Sequence, residues 1–228
     1  GNPSRSYPKT AVGANFPGTF QDYVAGIVSQ WQQSDSAKMA SLGKALEDLG
    51  LTWKVEAKPV DDTQVELRVG RLVHSRRGGA HDLVNIADVG FGLSQSLPVV
   101  VALLAARPRQ TVYLEQPEIH LHPKAQRQMA KLIAENVARG VVVIVETHSN
   151  LLLREFQTIV ATQPQVLSPG KVKLHWFTRN ANDGVTQLQS ADLDEDGAFG
   201  KWPQDFDEVN LDSEKAYLDA VENRGGRQ

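Results

Sequence analysis

Three short segments of this chain hold residues whose types and spacing suit phosphate chemistry. Gly90-Phe91-Gly92-Leu93-Ser94-Gln95-Ser96 is a glycine-rich turn running straight into an apolar stretch. A turn of that kind presents the unpaired N–H groups and positive dipole end of a helix to an anion. Thr111-Val112-Tyr113-Leu114 is a continuous apolar run that ends in Glu115 and continues Gln116-Pro117-Glu118-Ile119-His120-Leu121-His122-Pro123. A buried strand ending in an acid places the carboxylate at the edge of a parallel sheet, where open α/β folds bind ligands. There it can hold a metal-bound water beside a nucleotide phosphate. Val143-Ile144-Val145 is a second apolar core strand, ending in Glu146-Thr147-His148-Ser149-Asn150. If the two strands share one edge, Glu115 and His148 converge although 33 positions separate them.

The surrounding pattern supplies elements that could position these groups. A helix is predicted near Phe20–Trp31, and another over Ser36–Leu49 from the spacing of Met39, Leu42, Leu46 and Leu49, with Gly50 as C-cap. Trp53–Lys58 and Gln64–Val73 alternate like strands around Pro59-Val60-Asp61-Asp62. Val84–Ala87 is a short apolar run; Ser94 reads as the N-cap of a helix through Ala106, and Arg107-Pro108-Arg109 ends it. A helix over Lys124–Ala138 closed by Gly140, a strand over Val141–Val145 and a helix beginning at Leu151–Phe156 follow. Continuous apolar strands alternating with helices predict an α/β fold with a mostly parallel sheet covered on both faces. Lys171–Thr178 and Val185–Gln189 read as an antiparallel hairpin around Asn182-Asp183-Gly184, and a last helix is predicted over Ser213–Glu222. Three segments result: residues 1–83 leading in, a core over 84–190, and an acidic tail over 191–228.

Composition narrows the chemistry. Without cysteine there is no disulfide scaffold, thiolate metal site or cysteine nucleophile. With 41% hydrophobic and 22% charged residues the chain is globular in character, and its apolar runs fall short of the roughly 18 to 20 residues of a membrane span. The start at Gly1-Asn2-Pro3 carries no initiator Met and no signal pattern, which predicts a cytoplasmic product whose natural start lies elsewhere. Net charge is −3, but Asp192–Gln228 alone carries −7 and the rest +4. Arg68, Arg71, Arg76 and Arg77 with His74 and His81 form a basic cluster beside Gly78-Gly79, able to touch phosphates or simply to solvate a loop.

In order, spacing and strand context the three segments resemble the C-terminal lobe of an ABC/SMC-type ATPase head: its signature motif, its Walker B strand with D-loop, and its switch-histidine strand. The resemblance is strongest across Asp88–Leu153 and extends to bacterial ATPases related to the overcoming-lysogenization-defect (OLD) group. Their Walker B is similar to Leu114–Pro123, their tails to Trp202-Pro203-Gln204-Asp205-Phe206-Asp207-Glu208, and their opening loop to Pro3–Pro8. It implies an ABC-type P-loop NTPase lobe in which two heads sandwich ATP. Ser94 and the Gly90, Gly92, Leu93 and Gln95 region would then meet nucleotide held by a partner chain. Glu115 would hold the Mg²⁺ shell through water, His148 would bond the γ-phosphate or attacking water, and His120-Leu121-His122 would help form a homodimer interface. Nucleic acid or an effector protein is the implied target, with a role in bacterial defence, and no membrane is involved.

The same resemblance marks two departures. Gly43-Lys44, Gly170-Lys171 and Gly200-Lys201 are followed by Ala, Val and Trp, so none is the GxxxxGK(S/T) loop that cradles phosphates. That motif is expected in an N-terminal lobe upstream, which leaves this chain alone inactive. The residue after Glu115, by resemblance the water-polarising position, is Gln116, which cannot accept a proton but can orient water. Glu118 is the nearest substitute base, and Glu115 could serve as both metal ligand and base. Slow hydrolysis, an ATP-holding switch and a degenerate, non-catalytic interaction module all stay open. A metal pair at His120 and His122 is disfavoured by their i, i+2 spacing, and Asp192–Gly197 matches half an EF-hand loop whose twelfth position is Pro203. A serine-hydrolase elbow is absent.

Overall fold

A computed structural model describes residues 6–8, 19–71 and 82–200. His74, Arg76, Arg77, His81 and Gly78-Gly79 of the basic cluster lie outside the described residues, as do Pro3–Arg5 and everything from Lys201 on, including Trp202–Glu208 and the helix predicted over Ser213–Glu222. The chain divides into two compact units, residues 1–155 and 156–228.

In the first unit β1 (Ser6–Pro8) and a 3-10 turn (Phe20–Tyr23) precede α1 (Val24–Ser34) and α2 (Ser36–Asp48). Val24, Ile27, Val28 and Trp31 recur at helical spacing and form the buried stripe of α1. The Asp35 carboxylate caps α2 by accepting the Lys38 N–H at 2.9 Å, Leu42 and Leu46 bury its inner face, and Gly50 follows at φ +71°. β2 (Val55–Pro59), β3 (Gln64–Gly70) and β4 (Leu83–Asn85) complete a four-stranded antiparallel sheet. β3 is its centre: β2 lies along one edge, while β1 opposite Gln64–Glu66 and β4 opposite Arg68–Gly70 share the other. The alternate residues Val65, Leu67 and Val69 are buried, and α1 packs against this sheet.

On the intervening position Glu66 accepts from Asn85 Nδ2 at 3.0 Å and from Arg68 Nε at 3.2 Å. These bonds, the Asn85 one first, hold its carboxyl below the ordinary value of 4.5. A carboxyl depressed in the folded state stabilises it above the unfolded value, and that contribution fades as the pH falls through the lower, folded one. Asn85→Ala is therefore expected to cost about 1–2 kcal/mol at pH 7, with the gap to the unsubstituted protein closing in acid below pH 4.5. Urea unfolding at the two pH values checks this; a pH-independent gap would remove Glu66 from the account.

α3 (Phe91–Ala105) is apolar nearly all round and packs against α1, α2, α4 and β5. Here β5 is Thr111–Glu115, α4 is Pro123–Ala138, β6 is Val142–Glu146 and α5 is Asn150–Thr162. Its last carbonyls are met by cations: the Lys38 ammonium donates to Leu104, and Arg139 donates to the Ala106 carbonyl at 2.7 Å. Burial, then the neighbouring Arg139, lowers the Lys38 pKa. The expectation that Ser94 caps this helix needs correction. The N-cap is Gly90, in extended backbone with no side-chain cap, and Ser94 sits one turn inside, where its hydroxyl reaches back to the Phe91 carbonyl at 3.2 Å. A glycine followed by Phe91 already satisfies the dihedral change, so the helix starts four residues earlier and leaves its first N–H groups without a side-chain partner.

β5 and β6 pair in parallel, joined through α4, with Glu115 opposite Glu146. Leu114 is buried on one face of the pair; on the other, Tyr113, Val142 and Ile144 are 59%, 50% and 52% exposed.

The second unit begins within α5 and contains β7 (Lys173–Arg179) and β8 (Thr186–Asp192), the expected antiparallel hairpin, with Gly184 at φ +71° in its turn. Downstream the Asp194 carboxylate accepts the N–H groups of Asp196 and Ala198 at 3.0 and 2.8 Å, so the EF-hand-like acidic stretch is a turn held by its own side chain. Gly197, at φ +75°, lies so close to the Gln157 carbonyl that a Cβ would collide with it.

Candidate functional site

The candidate site residues fall in the first unit, at the carboxyl ends of β5 and β6, in the loop that follows β5 and at the start of α3. Glu115 ends β5 exposed, and His148, two residues beyond the end of β6, is exposed at the same edge. Gln116 makes the turn off β5 at φ +43°, a left-handed conformation that costs a non-glycine residue about 1 kcal/mol. Its N–H donates to the Glu146 carbonyl at 2.8 Å, which anchors the strained residue to the neighbouring strand.

Glu118 does not reach the edge. It is 5% exposed, its Oε1 accepts from the Thr147 hydroxyl at 2.5 Å, and its Oε2 is buried without a partner among the described residues. Thr147 in turn receives the Ser149 N–H at 3.0 Å, and the Ser149 hydroxyl donates to Gln126 Oε1 at 2.7 Å. Gln126 Nε2 returns to the Leu121 carbonyl at 3.0 Å. The segment flanking His148 is thus tied on both sides to the loop leading into α4, through side chains that the sequence alone does not single out.

That loop also meets the glycine turn. A Cβ on Gly92 would stand 3.1 Å from the His120 carbonyl oxygen, and the Phe91 and His120 rings lie 5.8 Å apart between centroids. Phe91 and Ile119 beside them are exposed at 74% and 63%. Leu121 is buried between the two histidines, and His122 caps α4, its Nδ1 accepting the Lys124 N–H at 3.4 Å. His120 thus lies beside Phe91 while His122 caps α4, and no group of three or more His, Asp or Glu side chains forms a metal cage among the described residues. Gly90 is exposed with open space around it, Leu93 is buried, Ser94 is half-buried and Gln95 is exposed. An uncapped helix start suits an anionic phosphate, and an exposed carboxylate at a strand end suits a hydrated Mg²⁺.

Residues 26–154 match the model of a family described as "AAA domain, putative AbiEii toxin, Type IV TA system". No curated protein matched the chain. Among solved structures, an SMC head bound to the C-winged helix domain of ScpA superposes with a TM-score of 0.51 at 13% identity, over 77% of this chain and 50% of that one. A structure described as concerning ATP-driven dimerization and DNA-stimulated activation of SMC ATPases gives 0.46 at 14% identity, over 71% of this chain and 87% of the other. An SMC head with extended coiled coil, bound to the C-terminal domain of ScpA from Pyrococcus furiosus, gives 0.46 at 11% identity, over 84% and 39%. The fold is the α/β, P-loop NTPase type of an SMC ATPase head, and the chain spans half the length of the head it superposes on best of these three.

Proposed function

The chain belongs to the AAA-domain family matched over residues 26–154, and on that premise we propose that it is the C-terminal lobe of an ABC/SMC-type, OLD-like ATPase head, active in an ATP-sandwich dimer. The observation that carries the reading is the parallel register of β5 and β6, which brings Glu115 and the His148 segment to one edge. Glu115 would hold Mg²⁺ through water, Gln116 orient the attacking water, and His148 bond the γ-phosphate. The N–H groups at the start of α3, with Gly90, Gly92, Leu93, Ser94 and Gln95, would meet ATP bound by the partner head. Mg²⁺ would neutralise phosphate charge; this chain's own residues orient water and the γ-phosphate.

The phosphate-cradling loop would come from a lobe outside these 228 residues, and the open apolar face bearing Tyr113, Val142 and Ile144 supports such a lobe packing there. Exposed Phe91, Ile119 and His120 support a homodimer contact at the D-loop. On this reading residues 84–190 are the core, 1–83 lead into it and 191–228 are an acidic tail, in a cytoplasmic bacterial protein that switches a nucleic acid or effector partner in defence. Glu118 serves better as an anchor for Thr147 than as a base. Gln116 favours one rival, a degenerate head that associates without turnover.

His148→Ala in the full-length protein separates them. ATP turnover is expected to fall about 10- to 100-fold, the worth of a hydrogen bond to a charged group. Undiminished turnover would sink the catalytic assignment. Calorimetric titration of Mg-ATP into this chain alone should show no binding at millimolar nucleotide.

A further inference from the structure

The proposed reaction needs a group to take the proton of the attacking water. Gln116 carries an amide, Glu118 is buried against Thr147, and Glu115 is committed to the metal shell. Strand register supplies another carboxylate. Glu146 stands opposite Glu115 in the parallel ladder, so the two side chains leave the same face at the same carboxyl edge. Glu146 is exposed, and its Oε2 accepts the Tyr113 hydroxyl at 2.8 Å. Tyr113 lies two residues before Glu115 and therefore on that same face. The Glu146 carbonyl receives the Gln116 N–H at 2.8 Å, so the residue at the water-polarising position is bonded directly to the residue that owns the carboxylate.

Resting on the ATPase reading above, we infer that Glu146 is the general base of this site and Tyr113 its orienting residue, β6 supplying the carboxylate that Gln116 lacks. The water oxygen forms its bond to the γ-phosphorus as the bond from that phosphorus to the β–γ bridging oxygen breaks. The released electron pair stays on ADP, and the water proton passes to the Glu146 oxygen that Tyr113 does not occupy. The proton then passes from Glu146 to solvent. Tyr113 has the geometry of the third group that aims a base.

The test uses the full-length protein. Glu146→Gln is expected to lower kcat about 100-fold or more, the usual worth of a general base, while the Kd for Mg-ATP, read by calorimetry, stays within about threefold. Adding Gln116→Glu to Glu146→Gln should recover at least about tenfold of the loss, because a carboxylate returns on the adjoining strand. Tyr113→Phe should lower kcat several-fold with KM unchanged. If Glu146→Gln turns over ATP like the unsubstituted protein while His148→Ala does not, the inference is overturned and the ATPase reading stands. If the unsubstituted protein has no turnover, both are overturned. A Glu146→Gln protein that loses Mg-ATP binding together with turnover, and is not recovered by Gln116→Glu, also overturns it.

Discussion

Leu97→Ala is expected to cost about 2–5 kcal/mol of folding stability, the range for emptying a leucine site that cannot collapse. Leu97 is fully enclosed, in a helix whose Leu93, Ser96, Val100, Val101, Leu103 and Leu104 are buried as well. A helix buried on one stripe can tilt to fill a void. α3 is held by α1, α2, α4 and β5 at once, and its C-terminal carbonyls are pinned by Lys38 and Arg139, so little relaxation is open to it. Urea unfolding with an unchanged m-value reads the loss. Gln95→Ala, two residues away and exposed, should stay within about 0.5 kcal/mol. A cost at Leu97 below about 1 kcal/mol would show that α3 is not the element on which the first unit is built.

Glu118→Ala is expected to destabilise by about 2–4 kcal/mol, combining an unsatisfied Thr147 hydroxyl with the void left by a buried side chain. Glu118→Gln should cost less than about 1 kcal/mol, because the amide oxygen can still accept from Thr147 and a charge is removed from a dry position. The two variants also separate anchor from base. An anchor predicts that Glu118→Gln keeps ATP turnover within a few-fold of the unsubstituted protein while Glu118→Ala loses much of it, since Thr147 adjoins His148. A base predicts that both collapse, and Glu118→Gln decides the matter because its fold is undisturbed. Thermal unfolding alongside steady-state turnover gives both readings.

Much of the frame could be read without coordinates because local chemistry and tertiary packing agree. Gly50 closes α2, Asn182-Asp183-Gly184 turns the β7–β8 hairpin, and the apolar runs at Val112 and Val143 become adjacent parallel strands. The start of α3 was misplaced because two residue types compete for the cap. Ser94 satisfies the side-chain rule, yet Gly90 meets the backbone requirement first, and periodicity cannot see four residues of extra helix whose side chains include an exposed phenylalanine. Glu118 reads as the nearest substitute base because its distance along the chain from Glu115 is short. The left-handed turn at Gln116 redirects the chain, and the side chain ends inside. Glu146 was hidden for the opposite reason: nothing in its own segment distinguishes it from any polar strand end, and only the pairing with Glu115 gives it a neighbour.

The approach of Gly92 to the His120 carbonyl has a mechanical consequence. A methyl group on Gly92 would fit only if the His120 carbonyl gave way by a few tenths of an ångström, so little room is left between the start of α3 and the loop before α4. Hard-core repulsion is steep in compression and absent in separation. A push on the loop toward α3 therefore meets steep resistance once that small gap closes, whereas a pull away is opposed by the weak hold of the Phe91 and His120 rings. Force arriving at one of these loops from outside would reach the other rectified, with its sign deciding whether it is felt at all.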